Sequence, residues 1–345
     1  MRIVSVVGAR PQFIKLAPIA WKAKGMCEHL IVHTGQHYDP LLTDVFFSEL
    51  NIPKPVELLV SGSGTHSVQT ARILIGIEKA LEKLKPDKIL VYGDTNSTLA
   101  AALCASKMNI TVGHVEAGLR SFNQNMPEEI NRIVSDHVSN LLFAPTLSAM
   151  SNLEREGLAE KSLLVGDLMF ELLHSFESKL NIINNGVQVQ RIFCTIHRAE
   201  NTDSAIRLSY IIDRLSKSPL PVDLFAHPRL LARSKEFGIN LSQGQIKVKE
   251  PAGYIDTISF LKKYAGVVTD SGGLQKEAYI LSIPCLTVRK ETEWPETLKN
   301  NWNRLDSNLE NIKDNWWELT ADKPLISEYG DGNTANRILE SLIKY

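Results

Sequence analysis

The sequence predicts an α/β protein of two Rossmann-like, doubly wound domains facing a cleft. Three observations carry this expectation. Short β-rich runs alternate with helical segments, the pattern of parallel sheets covered on both faces. The alternation breaks once, at the polar and aperiodic stretch "NIINNGVQVQ", and then resumes. The chain has 345 residues, about two domains of ordinary size. The expected domains are residues 1–180 and 190–345, with the last helix packing back on the N-terminal domain.

The first half opens with the strand "RIVSVVG" and the helix "PQFIKLAPIAWKA", with Pro11 in its first turn. "HLIVHTG" and "DKILVYGD" read as strands, the second leading through "TNST" into the Ala-rich helix "LAAALCASKM". The strand "ITVGHVEAG", the helix "PEEINRIVSDHVS" and the strand "LLFAPT" follow. In the second half "RIFCTIH", "DLFAHP", "IKVKE", "GVVTDSGG" and "PCLTVRK" read as strands with helices between them.

Composition removes several function classes. Apolar residues make up 43% and charged residues 22%, a globular balance. The formal net charge of −1 gives no basic field for nucleic acid or an anionic membrane. No apolar run approaches the ~18 residues of a membrane span, and the start lacks a signal-peptide pattern. Cys27, Cys104, Cys194 and Cys285 are far apart, as expected of free thiols in a reducing cytosol.

In doubly wound folds ligands sit outside the carboxyl ends of the strands, so functional side chains are expected there. After the first strand, "GARPQFIK" offers Gly8 for a tight turn and Arg10 and Lys15 beside a helix N-terminus, an arrangement suited to phosphate. The bland alternative is two solvated cations. It is neither G-x-G-x-x-G nor a P-loop. Asp94 follows "ILVYG"; its bland reading is a helix cap. Glu116 ends "VGHV", where a buried carboxylate is costly unless paired or used. Glu128, Glu129 and Arg132 open a helix behind Pro127. Glu128–Arg132 and Arg132–Asp136, each at i,i+4, allow a purely structural ion ladder.

In the second half, His197 and Arg198 sit at a strand end with Glu200 and Asn201 close behind. His227 in "LFAHPR" has the same placement with weaker support. "VTDSGGLQKEAY" puts Ser271, Gly272 and Gly273 at a helix start, where backbone N–H groups can cradle a diphosphate. Glu277 is placed to accept from sugar hydroxyls. His33 and His37 flank "TGQ", a turn rather than a helix face, so no metal site is expected. The inventory suits a nucleotide diphosphate and leaves transferase and isomerase chemistry open. The missing dinucleotide fingerprint argues against an NAD-dependent epimerase.

Read together, "GARPQFIKLAPI", "TGQHYD", "VYGDTNSTLA", "HVEAGLRS", "PEEINR", "TIHRAENTD", "HPR", "TDSGGLQKEA" and "ETEWPE" resemble the non-hydrolysing UDP-N-acetylglucosamine 2-epimerases. The match spans residues 1 to about 300 in family order. The resemblance implies a glycosyltransferase-B-like fold, a cytoplasmic homodimer, a UDP-sugar substrate, a role in cell-surface polysaccharide synthesis, and no metal or NAD. It also implies a mechanism. A carboxylate takes the C2 proton as UDP leaves C1, giving a 2-acetamidoglucal; a proton then returns to the opposite face of C2 and UDP adds back. Such two-sided transfer needs more than one acid/base group. Asp94, Glu116 and Glu128 match the family's catalytic carboxylates and His197 its active-site histidine. Arg10, Lys15, Arg132, Ser271, Gly272, Gly273 and Glu277 match its UDP-sugar contacts.

One departure concerns specificity. The family's usual T-E-R-P-E, whose Arg contacts substrate, is "TEWPE" here, with Trp294 in that place. With "HYD" and "RSFNQNMPEE" this resembles the subgroup of UDP-2,3-diacetamido-2,3-dideoxyglucuronate 2-epimerases, the alternative activity. Three others stay open: a glycosyltransferase on the same fold, a non-catalytic sugar-nucleotide-binding regulator, and a hydrolysing relative that releases UDP.

Overall fold

The computed structural model describes residues 1–36, 40–62, 64–179, 189–251, 253–318 and 323–345. The chain forms two compact units, Met1–Asn181 with Ser327–Tyr345, and Ile182–Ile326. The expected boundary falls largely on residues 180–188, outside the described residues.

The N-terminal unit runs β1 (Arg2–Val7), α1 (Arg10–Lys22), β2 (Glu28–His33), α2 (Pro40–Glu49), β3 (Glu57–Leu58), α3 (His66–Leu84) and β4 (Lys88–Tyr92). It continues through α4 (Asn96–Lys107), β5 (Thr111–Val115), α5 (Pro127–Val138), β6 (Leu141–Ala144), α6 (Leu147–Arg155), β7 (Ser162–Leu164) and α7 (Leu168–Lys179). Its strands form one parallel sheet in the order β3-β2-β1-β4-β5-β6-β7. Because both faces are covered, the central strands are apolar along their length. Val4, Val6, Val32, Ile89, Val91 and Val112 meet Ile73, Ile77 and Leu81 of α3 and Ala100, Ala101 and Ala105 of α4. Burying each such Val or Ile side chain stabilises by roughly 1.5–3 kcal/mol.

The C-terminal unit runs β8 (Val189–Thr195), α8 (Ala199–Thr202), α9 (Ala205–Ser216), β9 (Val222–Phe225), α10 (Pro228–Glu236) and β10 (Ile246–Lys249). Then come α11 (Tyr254–Leu261), β11 (Tyr264–Thr269), α12 (Gly272–Ile280), β12 (Cys285–Thr287) and β13 (Asn303–Leu305). The parallel order is β10-β9-β8-β11-β12-β13. Its core joins Ile192, Cys194, Leu224, Val268 and Leu286 of the strands to Leu208, Ile211, Ile212 and Leu215 of α9. A final helix, α13 (Thr334–Lys344), belongs to the N-terminal unit. Its first turn is held by Glu171 of α7, whose Oε2 accepts from Ala335 N–H at 2.7 Å.

In each sheet the order reverses beside its first strand: between β1 and β4, and between β8 and β11. These are the switch points where doubly wound folds bind ligands. The four cysteines are free, and burial pushes the Cys285 thiol up to about 12. Among the described residues no helix is long and apolar enough to cross a membrane.

Candidate active site

At the first switch point the structure rearranges what the sequence offers. Gly8 does not serve a left-handed turn. A side chain there would collide with the Oγ atoms of Thr34 and Ser97, which hydrogen-bond to each other at 2.7 Å. Nor are the amides of the turn just ahead of α1 open to a phosphate. Gln12, 1% exposed, turns back and accepts from Gly8 N–H at 2.7 Å and Ala9 N–H at 3.1 Å. Its amide group donates to the Tyr92 carbonyl and to Thr98 Oγ1. Arg10 starts the helix with its guanidinium 4.6 Å from the Phe46 ring centroid, a cation–π distance.

Lys15 lies one turn further on and contacts Glu116 in a buried ion pair. Glu116 caps β5 in the left-handed region, with φ of 69°. Its amide and that of Ala117 both donate to the Phe143 carbonyl, at 3.0 and 3.1 Å. Gly93 completes this corner. Its φ is 64°, and a Cβ there would stand 3.1 Å from both Glu116 Oε2 and Lys15 Nζ. Thus the close approach of backbone to ion pair accounts for a glycine before Asp94.

Asp94 is not a helix cap; Thr95 takes that place on α4, with Oγ1 accepting from Thr98 N–H at 3.3 Å. Its carboxylate, about one third exposed, accepts from Arg132 at 2.6 Å. Arg132 also donates to Glu129 at 2.6 Å. Glu129 accepts in turn from Ser121 N–H and Phe122 N–H at 2.9 and 2.8 Å. The ion ladder imagined on α5 is therefore not the one present. Arg132 pairs with Glu129 at i,i+3, while Asp136 turns to His114 and Arg120, each at 2.7 Å. Burial raises the Asp136 carboxyl, but His114 and Arg120 outweigh it and hold it below the usual range. Glu128 is half-buried on the first turn of α5 and makes no ion pair among the described residues.

At the second switch point the organiser is Asp270, fully buried at the end of β11. It accepts from His197 N–H at 3.1 Å, Arg198 N–H at 2.9 Å and Asn201 Nδ2 at 3.0 Å. His197 Nδ1 stands 3.2 Å from the same carboxylate, with the side chain 35% exposed. His227 serves as the cap of α10, its Nδ1 accepting from Arg229 N–H, with its ring centroid 5.5 Å from that of His197. Helix α12 opens on Ser271, whose Oγ accepts from Leu274 N–H at 3.3 Å. The amides of Gly272 and Gly273 begin the helix and have no acceptor within it. Glu277 is buried in the same helix. Arg289 and Glu293, paired at 2.8 Å, lie against Gly272.

Trp294 is 3% exposed, and Lys276 Nζ lies 3.8 Å from its ring centroid. One indole face is therefore taken by a buried cation of the same unit. Among the described residues no group of three or more His, Cys, Asp or Glu is arranged to hold a metal ion. His37 and the rest of "HYD" lie outside the described residues.

Sequence reading missed Gln12 and Asp270, and gave Glu129 and Asp136 no role beyond the helix they stand on. Asp270 had a signal, since it stands at a strand end directly before Ser271. Gln12 and Asp136 act through contacts as far as 86 and 22 positions away that no periodicity marks, as Lys15 does with Glu116 101 positions away.

The model of the family described as UDP-N-acetylglucosamine 2-epimerase matches residues 20–343. A UDP-N-acetylglucosamine 2-epimerase homolog of Methanococcus maripaludis is 44% identical over 99% of both chains. A UDP-2,3-diacetamido-2,3-dideoxy-D-glucuronate 2-epimerase of Pseudomonas aeruginosa is 42% identical over 100% of both. The crystal structure of a Methanocaldococcus jannaschii UDP-GlcNAc 2-epimerase, in complex with UDP-GlcNAc and UDP, superposes with a TM-score of 0.90. It is 40% identical, with all of both chains covered.

Proposed function

The chain belongs to the UDP-N-acetylglucosamine 2-epimerase family, and from that premise we propose that it inverts C2 of a UDP-N-acetylhexosamine, UDP-N-acetylglucosamine or a close relative. The C2 proton goes to a carboxylate while the C1–O bond breaks and UDP leaves with its electron pair. The remaining pair forms the C1=C2 bond of a 2-acetamidoglucal. A second group returns a proton to the other face of C2, and a UDP oxygen re-forms the bond at C1.

The observation that carries this reading is the corner formed by Gly93, Lys15 and Glu116, with Asp94 next in the chain and paired to Arg132. Two carboxylates are fixed there by cations and strained backbone, as proton transfer at a set geometry requires. We assign Asp94, Glu116 and Glu128 to proton transfer and His197 to the leaving diphosphate. Arg10, Lys15, Arg132 and Trp294 are assigned to substrate contact. Ser271, Gly272, Gly273 and Glu277 are assigned to UDP, since α12 opens on amides without helical acceptors and such groups bind anions. In this assignment residues 1–180 supply the proton chemistry and 190–345 the UDP site. A homodimer and a cytoplasmic location complete the proposal, resting on the family resemblance.

A second reading has its own support. The 42% identical relative from Pseudomonas aeruginosa and the Trp294 in place of Arg favour a UDP-2,3-diacetamido-2,3-dideoxyglucuronate as substrate. Proton NMR of each UDP-sugar with enzyme alone tests both. Epimer without free sugar supports epimerisation, and the larger kcat/KM names the substrate. Release of free sugar and UDP, or no reaction with either, would overturn the proposal.

A further inference from the structure

We propose that Asp136 is a positioning residue for the reaction, one buried carboxylate that sets the backbone of both Glu116 and Asp94. It touches neither side chain. Its Oδ1 accepts from His114 Nδ1 at 2.7 Å, and its Oδ2 accepts from Gly118 N–H at 3.1 Å and Arg120 at 2.7 Å. His114 lies two residues before Glu116, and Gly118 two residues after it. The left-handed turn at Glu116 is therefore clamped on both sides by one side chain. Strained backbone of this kind persists only where its surroundings over-determine it, and these are the surroundings.

The second arm runs through His114. Its Nε2 donates to the Gly93 carbonyl at 2.7 Å, and Gly93 N–H donates back to the Val115 carbonyl at 3.0 Å. Gly93 leads directly into Asp94 and faces the Lys15–Glu116 pair. His114, Asp136 and the Arg120 side chain are each about 1% exposed or less, so solvent cannot replace a lost contact. Arg120 is further fixed to Glu156 by two hydrogen bonds of 2.7 and 2.8 Å. Loss of the Asp136 charge thus frees the turn at Glu116 and the turn at Asp94 together. A misplacement of about 1 Å in such groups costs on the order of 100-fold in rate.

The inference rests on the epimerase reading, and a double-mutant cycle separates the two. Wild type must first epimerise the UDP-sugar; if it does not, the functional reading fails before this one is reached. Asp136→Asn keeps the shape and removes the charge. Its kcat is expected to fall on the order of 10–100-fold, with KM changed by less than about threefold. In a Glu116→Gln background the same substitution should cost clearly less than in wild type, because only its arm through Gly93 to Asp94 is left to act and residues acting through one another are not additive. His114→Gln is run through the same cycle and carries the test if Asp136→Asn does not fold. Equal fold-losses in both backgrounds, or a loss confined to thermal stability with kcat intact, would overturn the proposal.

Discussion

The two units share the order of their first six strands but treat their switch points differently. In the N-terminal unit Gln12 takes the amides of the turn ahead of α1, and the charges sit in ion pairs: Lys15 with Glu116, Arg132 with Asp94 and Glu129. In the C-terminal unit α12 opens on Ser271, Gly272 and Gly273, and one buried acid, Asp270, gathers backbone amides around His197. Under the proposed function the difference is one of chemistry. Moving protons needs carboxylates held still, which cations and strained turns provide. Holding a diphosphate needs donors without acceptors, which a helix start provides.

The largest effect that could break this comparison is at Glu116. Glu116→Gln, and likewise Asp94→Asn and Glu128→Gln, should lower kcat by about 10²–10⁴-fold, the usual worth of a general acid or base. Binding of UDP, measured by calorimetry, should hardly move. A variant that turns over normally would return its residue to a structural role, and for Glu128, which has no ion pair among the described residues, that outcome is the sharpest.

Acid should separate the units next. Burial lowers the His33 imidazole to about 4 from an ordinary value near 6.5, and its Nδ1 accepts from Gly35 N–H. The folded state thus favours the neutral ring. Its stabilisation is complete above the unfolded value and is lost as pH falls from about 6.5 towards 4. At pH 5 the loss is about 2 kcal/mol from this group alone. Burial lowers the His29 imidazole of the same strand to about 4 as well, so hydrogen exchange on β2 amides should report both rings, and His33→Asn should remove about half of the pH dependence. Equal acid sensitivity in the variant would show that another group is responsible.

In the C-terminal unit, Gly272→Ala drives a methyl group into the Glu293 carboxylate at the start of α12. UDP affinity should weaken on the order of tenfold, comparable to losing one anion contact at a helix end, with saturated turnover less affected. Unchanged affinity would move the diphosphate away from this helix. The smallest effect is expected at Trp294. Trp294→Arg sets a second cation beside Lys276 and should shift the kcat/KM ratio between the two candidate sugars by roughly tenfold or less. A ratio that does not move would make Trp294 a packing residue.

Much of the fold was legible because a buried parallel strand is a continuous apolar run. "KILVY" and "YAGVVT" could hardly read otherwise. The strands β3, β7 and β13 went unread; each has two or three residues, too few to show a period. At the site, Glu116 and His197 stood out because they end strands. Lys15 drew notice beside a helix start, but its partner is 101 residues away and no local pattern announces that. Asp136 looked like one rung of a helical ladder. Only the sheet, which brings His114 beside it, shows its use.

Turnover in deuterium oxide tests the central claim most directly. Wild-type enzyme with UDP-sugar alone should give epimer carrying solvent deuterium at C2, detected as loss of the C2 proton signal and a gain of one mass unit. Glu116→Gln should slow exchange and epimer formation in the same proportion. Epimer formed at the wild-type rate with no deuterium at C2 would contradict proton transfer between two faces and, with it, the assignment of the N-terminal carboxylates.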